Sequence, residues 1–111
     1  MLHEVREYVA MPGRIDELIA RFVRDAVPLF RKHGMEVVDM GLTVVGDRSF
    51  DEVVYTLAFA DAAEMEAKWA AFLGDEATVE MFARTEARGP LVASIRRRLL
   101  QTAPFAIESV G

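Results

Sequence analysis

Residues 35–59, MEVVDMGLTVVGDRSFDEVVYTLAF, decide the fold. Valine and methionine crowd Met35 to Val45, Gly46-Asp47-Arg48-Ser49 interrupts them, and Phe50 to Phe59 resumes the run with Val53, Val54, Tyr55 and Leu57. β-Branched and aromatic side chains on either side of turn-forming residues read as two strands of a hairpin. Upstream, Leu2 to Ala10 mixes Val5, Tyr8 and Val9 with Glu4, Arg6 and Glu7, a first strand stopped by Met11-Pro12-Gly13. From Arg14 the apolar residues Ile15, Leu18, Ile19, Phe22, Val23, Ala26, Leu29 and Phe30 recur at three-and-four spacing up to Gly34, the stripe of an amphipathic helix. Arg31, Lys32 and His33 fall in its last turn, where cations complement the carbonyl end, and Gly34 suits a left-handed cap. Pro28 lies inside the stripe and predicts a bend or loosening near Asp25 to Pro28.

Downstream of the hairpin, Asp61 is a natural N-cap for a helix from Ala62 to Leu73, with Met65, Trp69, Phe72 and Leu73 on one side and Gly74 as its stop. Asp75 to Arg88 reads as a second helical segment, and Leu91 to Leu100 returns to a β pattern before a tail containing Pro104. The order is βαββαβ. At this length it predicts an α+β, ferredoxin-like fold: an antiparallel sheet with both helical layers on one face. The other face carries residues such as Val5, Val9, Val38, Val54 and Leu99, too many to stay wet, so a homodimer sealing sheet against sheet is expected.

The 111 residues are one domain's worth, 1–111, and 52% hydrophobic with 28% charged residues is a folding composition. No cysteine is present, which excludes disulfides, thiolate metal sites and a cysteine nucleophile. Eighteen acids against thirteen bases give a net charge of -5, which repels a phosphate backbone, so nucleic acid is not an expected partner. The opening MLHEVREYVA lacks an apolar run, so neither a signal peptide nor a membrane span is expected, and a cytoplasmic location fits. No GxSxG, Walker loop or GxGxxG occurs, and two histidines far apart make no metal-ligand pattern; no metal or cofactor is called for.

Several local patterns coincide with one family. His3-Glu4-Val5-Arg6-Glu7-Tyr8 with Met11-Pro12-Gly13, Pro28-Leu29-Phe30 with Lys32-His33-Gly34, Val54-Tyr55 leading to Leu57-Ala58-Phe59, and Trp69-Ala70-Ala71-Phe72 together resemble a NIPSNAP protein across nearly the whole chain. The resemblance implies the dimeric α/β-barrel superfamily, which includes cofactor-free monooxygenases, haem-degrading enzymes, isomerases and cyclases, and so names no single reaction. The chain departs from the family pattern at Asp39-Met40-Gly41-Leu42 and at Asp75-Glu76-Ala77-Thr78, where aromatic residues are usual. If those rings normally line a pocket, this cavity is wider and differently shaped.

Glu4, Arg6 and Tyr8 alternate along strand one and share a face. They read either as a polar cavity floor, with Arg6 gripping an oxyanion and Tyr8 donating a proton, or as a structural ion pair. Asp39 interrupts an apolar strand; turned inward it would be a general base, turned outward or placed on a bulge it would meet water or an arginine such as Arg96 or Arg98. His33 reads first as a helix-ending cation. Tyr55, Phe59 and Trp69 read as an aromatic wall or as core. Asp39, Arg6 and Tyr8 are thus the expected catalytic set, and Glu4, Met40, Leu42, Tyr55, Phe59 and Trp69 the expected substrate contacts. Two functions fit: a cofactor-independent enzyme moving a proton on a small aromatic or enolisable molecule (isomerisation, cyclisation or oxygenation), or a non-catalytic dimer that binds a metabolite or protein.

Overall fold

A computed structural model of the chain describes residues 1–103 and 105; Pro104, expected in the tail, lies outside the described residues. The elements follow as β1 (Leu2–Ala10), α1 (Ile15–Arg21), a π-helical segment (Phe22–Ala26), α2 (Val27–Lys32), β2 (Glu36–Leu42), β3 (Glu52–Phe59), α3 (Ala62–Gly74), α4 (Glu76–Thr85) and β4 (Val92–Gln101). The sheet order is β2-β3-β1-β4, with β1–β3, β1–β4 and β2–β3 all antiparallel. This is the expected ferredoxin-like arrangement, with the helices on one side.

Helix entries and exits follow local chemistry. Asp61 caps α3 by accepting from the Glu64 N–H at 2.8 Å, and Asp75 caps α4 through the Ala77 N–H at 2.9 Å. Gly34 closes α2 with φ +67°, a conformation that costs other residues strain. The loosening expected before Pro28 takes the form of a π-turn: the Val27 N–H reaches back five residues to the Phe22 carbonyl. Proline has no N–H and crowds the carbonyl four residues upstream, so a wider turn relieves the ladder there. The core between sheet and helices is built from Leu18, Phe22, Phe30, Tyr55, Leu57, Phe59, Met65, Phe72 and Met81. Each large apolar side chain buried there contributes about 1.5–3 kcal/mol.

Three details differ from the sequence reading. The hairpin strands end earlier, because Thr43 and Glu52 close the ladder through backbone and side-chain bonds, and the residues between them form a long turn. Leu99 lies opposite Glu4, on the helix-facing side rather than the open one. In β2, Val37 faces Leu57 and Asp39 faces Thr56, so Val38 is an extra residue, a β-bulge.

Candidate functional site

A cavity of about 700 Å³ lies between the sheet and the helices, a size suited to a small organic ligand. Its floor is β1 with parts of β3 and β4, its walls come from the helical layer, and most of its lining is aromatic or aliphatic. Tyr8, Phe22 and Tyr55 pack with ring centroids 5.2–5.4 Å apart. Phe30 stacks on Phe72 at 4.9 Å, and Trp69 meets Phe72 edge-on at 5.4 Å. The π-turn supplies Phe22 and Ala26 to this wall.

Glu4, Arg6 and Tyr8 stand together on the floor. Glu4 is fully buried and accepts three bonds: from Trp69 Nε1 at 2.6 Å, Arg97 Nε at 2.8 Å and Arg6 Nη1 at 3.0 Å. Burial pushes its pKa up, but the Trp69, Arg97 and Arg6 donors outweigh it and hold the carboxyl below its ordinary value. Glu4 is therefore a fixed anchor rather than a mobile proton carrier.

Arg6 spreads its fork over two partners. Nη1 holds Glu4, while Nε and Nη2 donate to the Tyr8 hydroxyl at 3.3 and 3.0 Å. Its guanidinium lies 4.5 Å from the Trp69 ring centroid, a cation–π contact that fixes its plane. Burial disfavours its charge, yet the neighbouring Tyr55, Tyr8 and Glu4 raise its pKa above that of an ordinary arginine. Tyr55 donates to the same Tyr8 oxygen at 3.1 Å. Burial first, and Tyr8 beside it second, push the Tyr55 phenol well above its ordinary pKa, so it stays a donor. Three donors thus converge on the Tyr8 oxygen, and the hydrogen of that hydroxyl has no acceptor among the described residues.

Asp39 is not in this site. The bulge at Val38 turns it away from the helices, opposite Thr56 and exposed, so it is no buried general base facing the cavity. Nor does it pair with Arg96 or Arg98: Arg98 binds Glu7 at 2.8 Å. Met40 and Leu42 face the helical side but on the edge strand, outside the cavity wall, and Phe59 is core. Tyr55 and Trp69 do line the cavity. His33 ends α2 and sits 2.8 Å from Asp75 through Nε2, outside the cavity lining and behind Phe72, whose ring it meets edge-on at 6.2 Å. Sequence reasoning missed Arg97, Arg21, Phe22 and Phe82, all of which line the cavity. The signals were there: Arg21 falls within the helix-one stripe between Leu18 and Phe22, and Arg97 points opposite to Arg96 and Arg98 in a strand.

Among the described residues no three His, Cys, Asp or Glu side chains gather to hold a metal, and no helix is long and apolar enough to cross a membrane.

Comparison with solved structures places the fold. An uncharacterized NIPSNAP domain protein from Burkholderia xenovorans superposes with TM-score 0.82 at 18% identity, covering 97% of this chain and 100% of that one. Protein Atu4242 from Agrobacterium tumefaciens gives TM-score 0.80 at 18% identity, covering 96% and 97%. A more distant structure, described as an antibiotic biosynthesis monooxygenase, gives TM-score 0.62 at 15% identity, covering 94% and 100%. At such identities these likenesses speak for the fold alone. No curated protein matches the sequence. The family assignment comes from the NIPSNAP family model, which matches residues 3–107. With nearly its whole length matched, the chain belongs to the NIPSNAP family.

Proposed function

We propose that the cavity binds a small, largely apolar molecule carrying an enolisable carbonyl and moves a proton on it without a cofactor, with Tyr8 as the acid. The observation that carries this reading is the convergence of Arg6 Nε, Arg6 Nη2 and Tyr55 on the Tyr8 oxygen beside an aromatic-walled cavity. As the carbonyl oxygen gains charge, the Tyr8 hydroxyl donates its proton, and the three donors receive the charge left on the phenol oxygen. Glu66 is the cavity-lining carboxylate with no hydrogen-bond or ion-pair partner among the described residues, and in this reading it accepts the carbon-bound proton. That role replaces the one expected of Asp39. The monooxygenase-like neighbour supports small-molecule chemistry in this kind of fold without naming it here.

The locked state of Glu4 favours the second reading, a binding protein without turnover, because the fully buried floor carboxylate cannot exchange its proton easily. One experiment separates the two. Trp69, the chain's single tryptophan, lines the cavity and reports occupancy by fluorescence. β-Benzoylpropionate, an aromatic acid with an enolisable ketone, is expected to change that fluorescence and to exchange its ketone-adjacent hydrogens in D2O. Tyr8→Phe should slow exchange by ~10²-fold while binding persists. Binding without protein-dependent exchange leaves the non-catalytic reading; undiminished exchange in Tyr8→Phe removes Tyr8 from the chemistry.

We also propose that a second copy of the chain covers the open face of the sheet. That face is acidic along β2, at Glu36 and Asp39, and basic along β4, at Arg96 and Arg98. A two-fold axis parallel to the strands lays each acidic edge over its partner's basic edge. Asp39 becomes an edge charge in this arrangement.

A further inference from the structure

We infer that Arg21 is an anion-recognition residue, so that the cavity takes a ligand whose apolar body carries a carboxylate or similar anion. The inference rests on the proposed reading of the cavity and names the ligand class for it.

Arg21 ends α1 and is only 6% exposed, yet it lines the cavity. A guanidinium offers five N–H donors, each of which needs a protein partner, a ligand or water. Here a single nitrogen, Nη1, makes all the side chain's hydrogen bonds among the described residues, to Thr85 Oγ1 at 3.4 Å and Glu86 Oε2 at 3.3 Å. Both bonds are long for their kind. Nε and Nη2 have no partner among the described residues and still reach solvent, where a ligand can meet them. The Phe82 ring lies 5.2 Å from the guanidinium carbon and holds its plane in place. A buried, oriented fork with two free donor positions fits a carboxylate bidentately.

Position supports the same assignment. Arg21 is tied to the end of α4, through Thr85 and Glu86, whereas Arg6 and Arg97 are tied to the floor through Glu4. The two polar groups share no hydrogen bond, and apolar side chains such as Phe22 and Phe82 line the same cavity. The cavity therefore carries two separately tied polar groups within a largely apolar lining. Arg6 commits all three nitrogens to Glu4 and Tyr8. Arg97 holds Glu4 through Nε and Met65 Sδ through Nη2 and stands half exposed, so among the described residues Arg21 is the buried cavity arginine with donors to spare. Among the described residues Glu86 is its one ion-pair partner, and the Glu86 side chain is partly exposed.

The test uses matched probes, β-benzoylpropionate and its neutral amide, followed by calorimetry and Trp69 fluorescence. The acid is expected to bind roughly tenfold or more tightly than the amide, and Arg21→Gln should erase that preference while leaving the amide unchanged. Glu86→Gln, which removes the competing carboxylate from a partly exposed position, should tighten the acid several-fold and spare the amide. If Arg21→Gln fails to fold, Glu86→Gln decides alone, and an unchanged or weakened acid overturns the assignment. Equal binding of acid and amide leaves the cavity reading standing and overturns the role of Arg21. A preference for the acid that survives Arg21→Gln does the same, moving the anion to Arg6 or Arg97. If neither probe binds, the reading of the cavity falls and takes this assignment with it.

Discussion

Glu4 sits out of water with three donors on its two oxygens, and removing its charge would leave Arg6 and Arg97 facing an uncompensated site. Glu4→Gln is expected to destabilise the fold by about 3–5 kcal/mol, the range for breaking a buried ion pair. The pH dependence follows in sign. The folded state holds the Glu4 carboxyl below its ordinary value of 4.5, so folding favours the ionised form; its contribution is complete above that value and is lost as pH falls toward the folded one. Asp75 acts in the same direction, since Lys32, the Ala77 N–H and His33 depress its pKa. Thermal melts between about pH 6 and 2 should therefore show falling stability, with a shallower slope in Glu4→Gln. A parallel slope would assign the acid sensitivity to Asp75 and other surface pairs. At this scale the alternation of Glu4, Arg6 and Tyr8 was legible, because side chains on an unbroken strand must alternate. Asp39 was misjudged for the same reason: straight alternation from Val37 points it inward, and the one-residue bulge at Val38 reverses it.

Among the elements, α3 matters most for the site because it carries Met65, Glu66, Trp69, Phe72 and Leu73 to the cavity. Its start is held by Asp61 accepting from the Glu64 N–H of the first turn, while the Glu64 side chain reaches back to accept from the Ala60 N–H just before the cap. Asp61→Ala should lower unfolding free energy by about 1 kcal/mol, measured by denaturant titration, without moving the sheet. A loss near zero would mean that packing of Trp69 and Phe72 alone fixes this helix. The element order was readable from periodicity and caps, and so was a disturbance before Pro28. That the disturbance becomes a π-turn delivering Phe22 and Ala26 to the wall depended on how the helix lies on Tyr8 and Tyr55.

For the molecule as a whole, the open sheet face divides into an acidic edge and a basic edge. If copies pair through it, Asp39→Arg should weaken the dimer by roughly tenfold or more, and adding Arg98→Asp, at the β4 position in the cross-strand row of Asp39, should restore it, as measured by sedimentation. A monomer at all concentrations would reject the pairing, and a dimer indifferent to both changes would place its interface elsewhere. The sequence by itself determined the βαββαβ order and the polar stripe of β1, because periodicity, caps and turn residues act over a few neighbours, and its motifs in their order carried the family. Only the tertiary structure decided which side Asp39 takes, that Arg97 rather than Arg96 or Arg98 reaches Glu4, and that Arg21 borders the same cavity as Tyr8. Strand register and helix seating bring together residues far apart along the chain, and a single bulged residue changes a side chain's face without leaving a mark on local composition.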